Sequence, residues 1–433
     1  MKNNSKLIIF KSQLSLYINF MIFFVLILYS NSEIAIPFII LCLFLPILNK
    51  NRMGLIEFIF FLSFFLIFIR LWMLVYYDFS FIYIKFFPLD KVILIDVTNI
   101  ALTYMLFLGY MIFLIDKLIE EKDILKNNLN LDYVNTILTI MLTVKLVLFF
   151  YAKIKMGEST DTLEKIIDML IANLFLIDLL FLISFLHKRV SKLNILLYIL
   201  ISVVMTSKSA VFMLFLLYIV SISKELKFHR IFNIKYFLYM LVGVVVFIFA
   251  AVLSNAARTG DEIKFIFLSI DSILALFRRL GILDNILAIW IMDKSDIEYF
   301  SFYNLIIQFI LGFIPNSLFD FGYYGVSTGW AVAHYGLGQP DDIINAYEAS
   351  AIGTAILFSH QNIFLSLINL LLIYSPILLV FYFTKDAVLK YYAIFMFILI
   401  TITGDIRVDA LLIKHIIIYK LIILPLITYK KGK

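Results

Sequence analysis

Apolar residues run almost without interruption through most of this chain, and polar ones gather in short separators between them. Twelve apolar runs stand out, at 14–30, 34–48, 55–77, 93–115, 131–152, 166–186, 193–205, 209–223, 236–254, 362–383, 391–403 and 410–428. In a helix, about twenty such residues cross the roughly 30 Å of a bilayer's hydrocarbon. Hydrocarbon offers the backbone no partner but itself, so a spanning segment is either a helix or part of a closed barrel. Barrel strands alternate polar and apolar positions over about ten residues, and these continuous runs do not. The pattern predicts an all-α polytopic integral membrane protein of about twelve transmembrane helices. Runs shorter than about 17 residues, 193–205 and 391–403 among them, must extend into their flanks or sit in locally thinned bilayer.

Composition removes the soluble alternatives. Of 433 residues, 63% are hydrophobic and 15% charged, which leaves too little polar surface to coat water-soluble domains. Soluble enzymes, nucleic-acid binders and secreted disulfide scaffolds are excluded. The lone Cys42 cannot form an internal disulfide and reads as a small buried hydrophobe. The net charge of +6 is largely topological, because cytoplasmic loops of membrane proteins collect Lys and Arg. With the first segment placed inside, the inner separators hold twenty basic residues, the much longer outer ones twelve, and the spans four. Both termini are expected in the cytoplasm. The first run follows basic residues as a signal peptide would. However, Ser30-Asn31-Ser32-Glu33 offers no small-residue cleavage site and leads straight into the next run, so it reads as uncleaved.

This topology divides the chain into spans one to nine (1–254), one large outer segment (255–361), and spans ten to twelve with a cytoplasmic tail (362–433). The outer segment carries three textures. Residues 261–292 are apolar with sparse charge, and Asp261 and Glu262 after Gly260 favour a helix start. Lys264, Asp271 and Arg278 recur every seven residues and so share one narrow stripe of that helix, with Arg279 a step round. Residues 302–314, ended by Pro315, are too few to span comfortably and predict an interfacial or re-entrant helix. The third texture, 312–353, holds seven of the fifteen glycines among Tyr323, Tyr324, Trp330, His334, Tyr335 and Tyr347, with Asp320, Asp341, Asp342 and Glu348. Aromatic faces beside carboxylates suit a sugar, stacking on its C–H faces and binding its hydroxyls. An aromatic belt at the membrane interface is the plainer reading of any single one of these rings.

Arginine is scarce here, eight against 28 lysines, yet Arg70, Arg258, Arg278, Arg279 and Arg407 all fall toward the outer face. A guanidinium is a rigid, permanently charged fork that grips phosphate oxygens in pairs, which lysine cannot imitate. The bias points to an anionic phosphate ligand there, unless these arginines simply pair with Asp271, Asp284 or Asp405. Lys208 joins them from the tight outer turn Met205-Thr206-Ser207-Lys208-Ser209. Charges within spans usually mark sites or find partners. Lys145 could snorkel or meet an acid on a neighbouring helix, while Lys414 and His415 could mean that the last span begins later than residue 410. No Walker loop, H-E-x-x-H pattern or cysteine cluster is present and the five histidines are scattered, so neither a cofactor nor a metal is expected.

Twelve spans, a late outer segment entered by Asn-Ala-Ala-Arg-Thr-Gly at 255–260, and a charged apolar helix with Arg278-Arg279 resemble the O-antigen polymerases, the Wzy-type repeat-unit polymerases. The Phe313-Ile314-Pro315-Asn316-Ser317-Leu318-Phe319 run is similar to that family's Ile-Pro-Arg-Ser stretch, with Asn316 where arginine is usual. Tyr347-Glu348-Ala349 looks like its glutamate-containing segment before the next span. The turn at Lys208 resembles the Ser-Arg-small turn shared with O-antigen ligases, with lysine in place of arginine. The resemblance implies a glycosyltransferase at the periplasmic face of the bacterial inner membrane, moving a glycan from undecaprenyl diphosphate onto another lipid-linked repeat unit. Donor and acceptor would be undecaprenyl-diphosphate-linked glycans, and a chain-length regulator is a conceivable protein partner. Arg258, Arg278, Arg279 and Lys208 would hold the diphosphate, whose charge grows as the glycosidic bond breaks. His334 or Glu348, with Asp320 behind them, would take the acceptor's proton. An O-antigen ligase and a polysaccharide or lipid-linked oligosaccharide flippase remain the rival readings.

Overall fold

A computed structural model describes residues 81–82, 85–86, 91–118, 129–155, 176–204, 213–214, 216–218, 220–221, 282–292, 297, 300–313 and 350–428. The described chain is mostly helical. In chain order its helices are α1 (Lys91–Leu118), α2 (Leu131–Lys155), α3 (Ile177–Leu186), α4 (Lys192–Val204), α5 (Ile282–Trp290), α6 (Phe302–Leu311), α7 (Ser350–Leu357), α8 (Ile363–Phe383), α9 (Ala387–Thr403) and α10 (Arg407–Ile418). Helix α10 runs on through a π-helical turn, Tyr419–Ile423, into Leu424–Ile427. A two-residue hairpin pairs Phe81 with Phe86 and Ile82 with Lys85, within a separator that carried no strand signal. Among the described residues three helices are long and apolar enough to cross a membrane: Leu131–Leu148, Ile363–Phe383 and Arg407–Ile427.

Helix ends follow local chemistry. Asn362 opens α8 by accepting from the Leu365 amide at 3.1 Å, and Asp386 opens α9 by accepting from the Val388 amide at 3.0 Å. Each satisfies an amide that the helix leaves unpaired. With Asp386 as its cap, α9 begins four residues earlier than the expected 391. It closes on Gly404, whose φ of +67° is left-handed and whose amide donates back to the Ile400 carbonyl at 2.8 Å. Pro376 cannot donate to the carbonyl four residues before it. The Ser375 hydroxyl takes that role for Leu372 at 2.8 Å, which keeps α8 continuous. Pro425 has the same effect in α10, and just before it the Leu424 amide reaches back five residues to Tyr419.

The last span does not begin after His415. Helix α10 starts at Arg407 and carries Asp409 and His415 on its buried side, so inward-facing polar groups, and not a late start, account for the charges there.

The core is apolar, and so is much of the outside. Phe364, Leu371, Leu379 and Phe383 of α8 are exposed, as are Leu421 and Leu426 beyond α10, whereas Asn369, Asp409 and His415 are buried. Apolar residues facing outward are what a lipid solvent selects. Chain segments far apart in sequence also meet at their ends. Leu129 bridges Thr428, the Asn135 amide donates to the Arg189 carbonyl at 2.9 Å, and Thr354 donates to the Gly404 carbonyl at 2.7 Å.

Candidate functional site

Two helices drawn within the outer segment are packed into the bundle. Every residue of α7 is buried, and α5 is buried over Ile286, Leu287, Ala288 and Ile289. Small residues (Ser350, Ala351, Gly353, Thr354 and Ala355) let α7 approach its neighbours closely. The turn after α7 places His360 and Gln361 in the left-handed region, at φ 52° and 63°. That geometry delivers the Gln361 amide to the Ile289 and Trp290 carbonyls at 3.2 and 3.1 Å, capping the end of α5.

The start of α10 is the meeting point. A Cβ on Gly404 would collide with the Ser350 carbonyl, and one on Gly312 would meet the Ala410 Cβ at 2.6 Å and the Arg407 Cα at 3.0 Å. Glycine is required at 404 both by this close approach and by its positive φ. Of the described residues flanking 314–349, Gly312 thus packs against Arg407 and Ser350 against Gly404. There the Arg407 guanidinium grips Asp405 in two parallel bonds, Nε to Oδ1 at 2.9 Å and the terminal NH2 to Oδ2 at 2.8 Å. Of the outward arginines, this one does pair with the acid that the sequence offered it.

Polar groups continue inward from that end. The Thr401 hydroxyl donates to the Phe397 carbonyl at 2.7 Å, which leaves it to accept from Tyr374 at 2.9 Å. Tyr374 therefore accepts from Tyr104 at 3.1 Å, and one directed chain of hydroxyls joins α1, α8 and α9. Asp409 is 2% exposed and its Oδ1 has no hydrogen-bond partner. His415, 3% exposed, shares a hydrogen bond between Nδ1 and the Tyr392 hydroxyl, while its Nε2 has none. Asp178, on the packed neighbour α3, lies within electrostatic reach of Lys145, Tyr392 and Tyr198 without an ion pair to Lys145.

Lys208, Arg258, Arg278, Arg279, Asp320, His334 and Glu348 lie outside the described residues, as does most of the charged stripe on 261–292. Sequence reasoning missed Asp409 and Tyr392. The readable signal was the spacing Asp409, Leu412, His415, Tyr419, which places three polar groups on one face of an apolar helix. No family model, curated protein or solved structure matches the chain.

Proposed function

We propose that this chain is a polytopic membrane glycosyltransferase that lengthens polyprenyl-diphosphate-linked glycans, with about twelve spans, both termini cytoplasmic, and the reaction in the 255–361 segment. One observation carries the reading: the described residues on either side of the stretch rich in glycine, aromatic and acidic residues pack around the start of α10, Gly312 against Arg407 and Ser350 against Gly404, on the face where arginine is retained against the composition. Cations there stabilise the charge that builds on a departing diphosphate. Arg258, Arg278, Arg279 and Lys208 bind that group, and His334 or Glu348, with Asp320 in support, receives the proton of the attacking sugar hydroxyl.

Deleting the gene and resolving the surface glycan by gel tests the assignment. Loss of a polymerase leaves the lipid core capped with one repeat unit. Loss of a ligase or a flippase leaves no capped core, and that outcome would overturn the proposal. If the guanidinium fork matters, Arg258→Lys and Arg278→Lys lose most glycan lengthening and the alanine variants nearly all, at unchanged protein level. Full activity in both alanine variants removes these residues from the site.

A transporter of lipid-linked glycans is the second reading. It is favoured by the buried pair His415 and Tyr392 within the helices, because transporters concentrate polar chemistry at the midplane.

A further inference from the structure

The buried side of α10 carries Asp409, His415 and Tyr419 and is otherwise apolar. Helical rise separates Asp409 from His415 by about 9 Å, and His415 from Tyr419 by about 6 Å. Carboxylates stand near both ends of this file. Asp405 follows the end of α9 and lies within electrostatic reach of Asp409, and Asp386 caps the start of α9 within electrostatic reach of Tyr419, whose hydroxyl has no hydrogen-bond partner. The two acids are thus separated by the whole of α9, 17 residues or roughly 26 Å. Both are only partly buried, and Asp405 is paired with Arg407.

Between them, every polar group on the file both gives and takes a proton. A neutral imidazole has one donor and one acceptor nitrogen, a phenol does both through one oxygen, and a protonated carboxyl does both through two. Fixed charge in an apolar interior is costly, whereas a file of neutral donor–acceptors is not. Asp409 Oδ1 and His415 Nε2 are buried without a partner in the protein, which is uncommon and asks for an explanation. The other polar groups facing the file are Tyr392, hydrogen-bonded to the imidazole, Tyr374 near Asp409, Asp178 behind Tyr392, and Lys414 beside His415.

We propose that Asp409, His415 with Tyr392, and Tyr419 form a proton relay along the last helix, linking Asp386 near one end of the bundle to Asp405 at the other. A proton taken up at one carboxylate displaces one along the file and another leaves at the far carboxylate, so the protein is unchanged after each passage. Axial steps of about 6–9 Å exceed a direct hydrogen bond, so the relay requires bridging water between its members. The relay is independent of the glycan chemistry and stands whether or not the chain is a polymerase.

The test is proton flux into liposomes holding the purified full chain. The vesicles are loaded with potassium and a pH-sensitive dye, and flux is driven by a valinomycin diffusion potential. The relay predicts acidification at least about tenfold faster than in protein-free vesicles. Asp409→Asn and His415→Gln should return it to the protein-free rate, and Tyr392→Phe, which removes one hydroxyl and keeps the ring, should slow it several-fold. Exposed Lys420→Gln should leave it unchanged. Parent vesicles no faster than empty ones would overturn the relay, and so would parent-like flux in Asp409→Asn or His415→Gln. Should those two variants not fold, parent-like flux in Tyr392→Phe overturns it alone.

Discussion

Helices α8 and α9 are neighbours, both apolar, and the sequence treats them alike, yet they occupy opposite kinds of place. Seven of the 21 residues of α8 are buried, and the rest include a wide exposed apolar face. Fourteen of the 17 residues of α9 are buried, including Lys390, Tyr391 and Tyr392. Helix α9 is enclosed by α3, α7, α8 and α10, whereas α8 keeps a face for lipid. Hydrophobicity alone does not separate the two, because lipid and a protein core reward the same side chains. The separating feature is polar. The central helix presents Tyr392 and Thr401 to partners, and the peripheral one hides Asn369 and Tyr374 on its inner side while leaving its outer side apolar.

The largest break in that arrangement is expected at the turn that ends α9. Gly404→Ala forces a side chain into a left-handed residue already touching the Ser350 carbonyl. The left-handed conformation costs a residue with a Cβ about 1–2 kcal/mol, which adds to an overpacking cost of about 1–3 kcal/mol. The variant should lose most of its monodisperse fraction in a detergent heating series. A Gly404→Ala protein as heat-stable as the parent would show that α7 and α9 do not pack this closely.

The next effect contrasts the two helices directly. Ala393→Leu adds volume at a position with no exposure and should destabilise by about 1–3 kcal/mol. Leu371→Ala, at a site half-exposed on α8, should change stability in the same heating series by less than about 0.5 kcal/mol. Equal losses would erase the distinction between centre and periphery.

The smallest concerns the hydroxyl chain joining both helices to α1. Tyr374→Phe removes its middle member and leaves Tyr104 without an acceptor, at a cost of about 1–2 kcal/mol. Tyr104→Phe made in addition should recover part of that loss, since no orphaned hydroxyl remains. An additive double variant would show that the chain is not coupled.

Much of the helical frame was legible in the residues. The run 131–152 lies within Leu131–Lys155, 362–383 is Ile363–Phe383 to within a residue, and 193–205 is Lys192–Val204. Such runs are long and uniform, and their ends carry recognisable caps. Helix α7 was not legible: Ser-Ala-Ile-Gly-Thr-Ala-Ile-Leu reads as a loop margin, because its small residues show no contrast of faces when every face is buried. Asp405 was legible as one of three acids that the outward arginines could pair with, and Arg407 is bonded to it. The buried file of α10 was not read, because isolated polar residues in an apolar run resemble a misplaced boundary until the facing helices are known.

The most direct measurement is lengthening of a lipid-linked glycan by the purified full chain. Liposomes containing the protein and undecaprenyl-diphosphate-linked repeat units should yield a ladder of longer lipid-linked products. If His334 takes the proton, it must be neutral to do so, and lengthening should fall as pH drops below about 6.5. That acidic limb should flatten in His334→Gln and persist in Glu348→Gln, or the reverse if the glutamate is the base. Repeat units that remain single at every pH, with folded protein present throughout, would contradict the account.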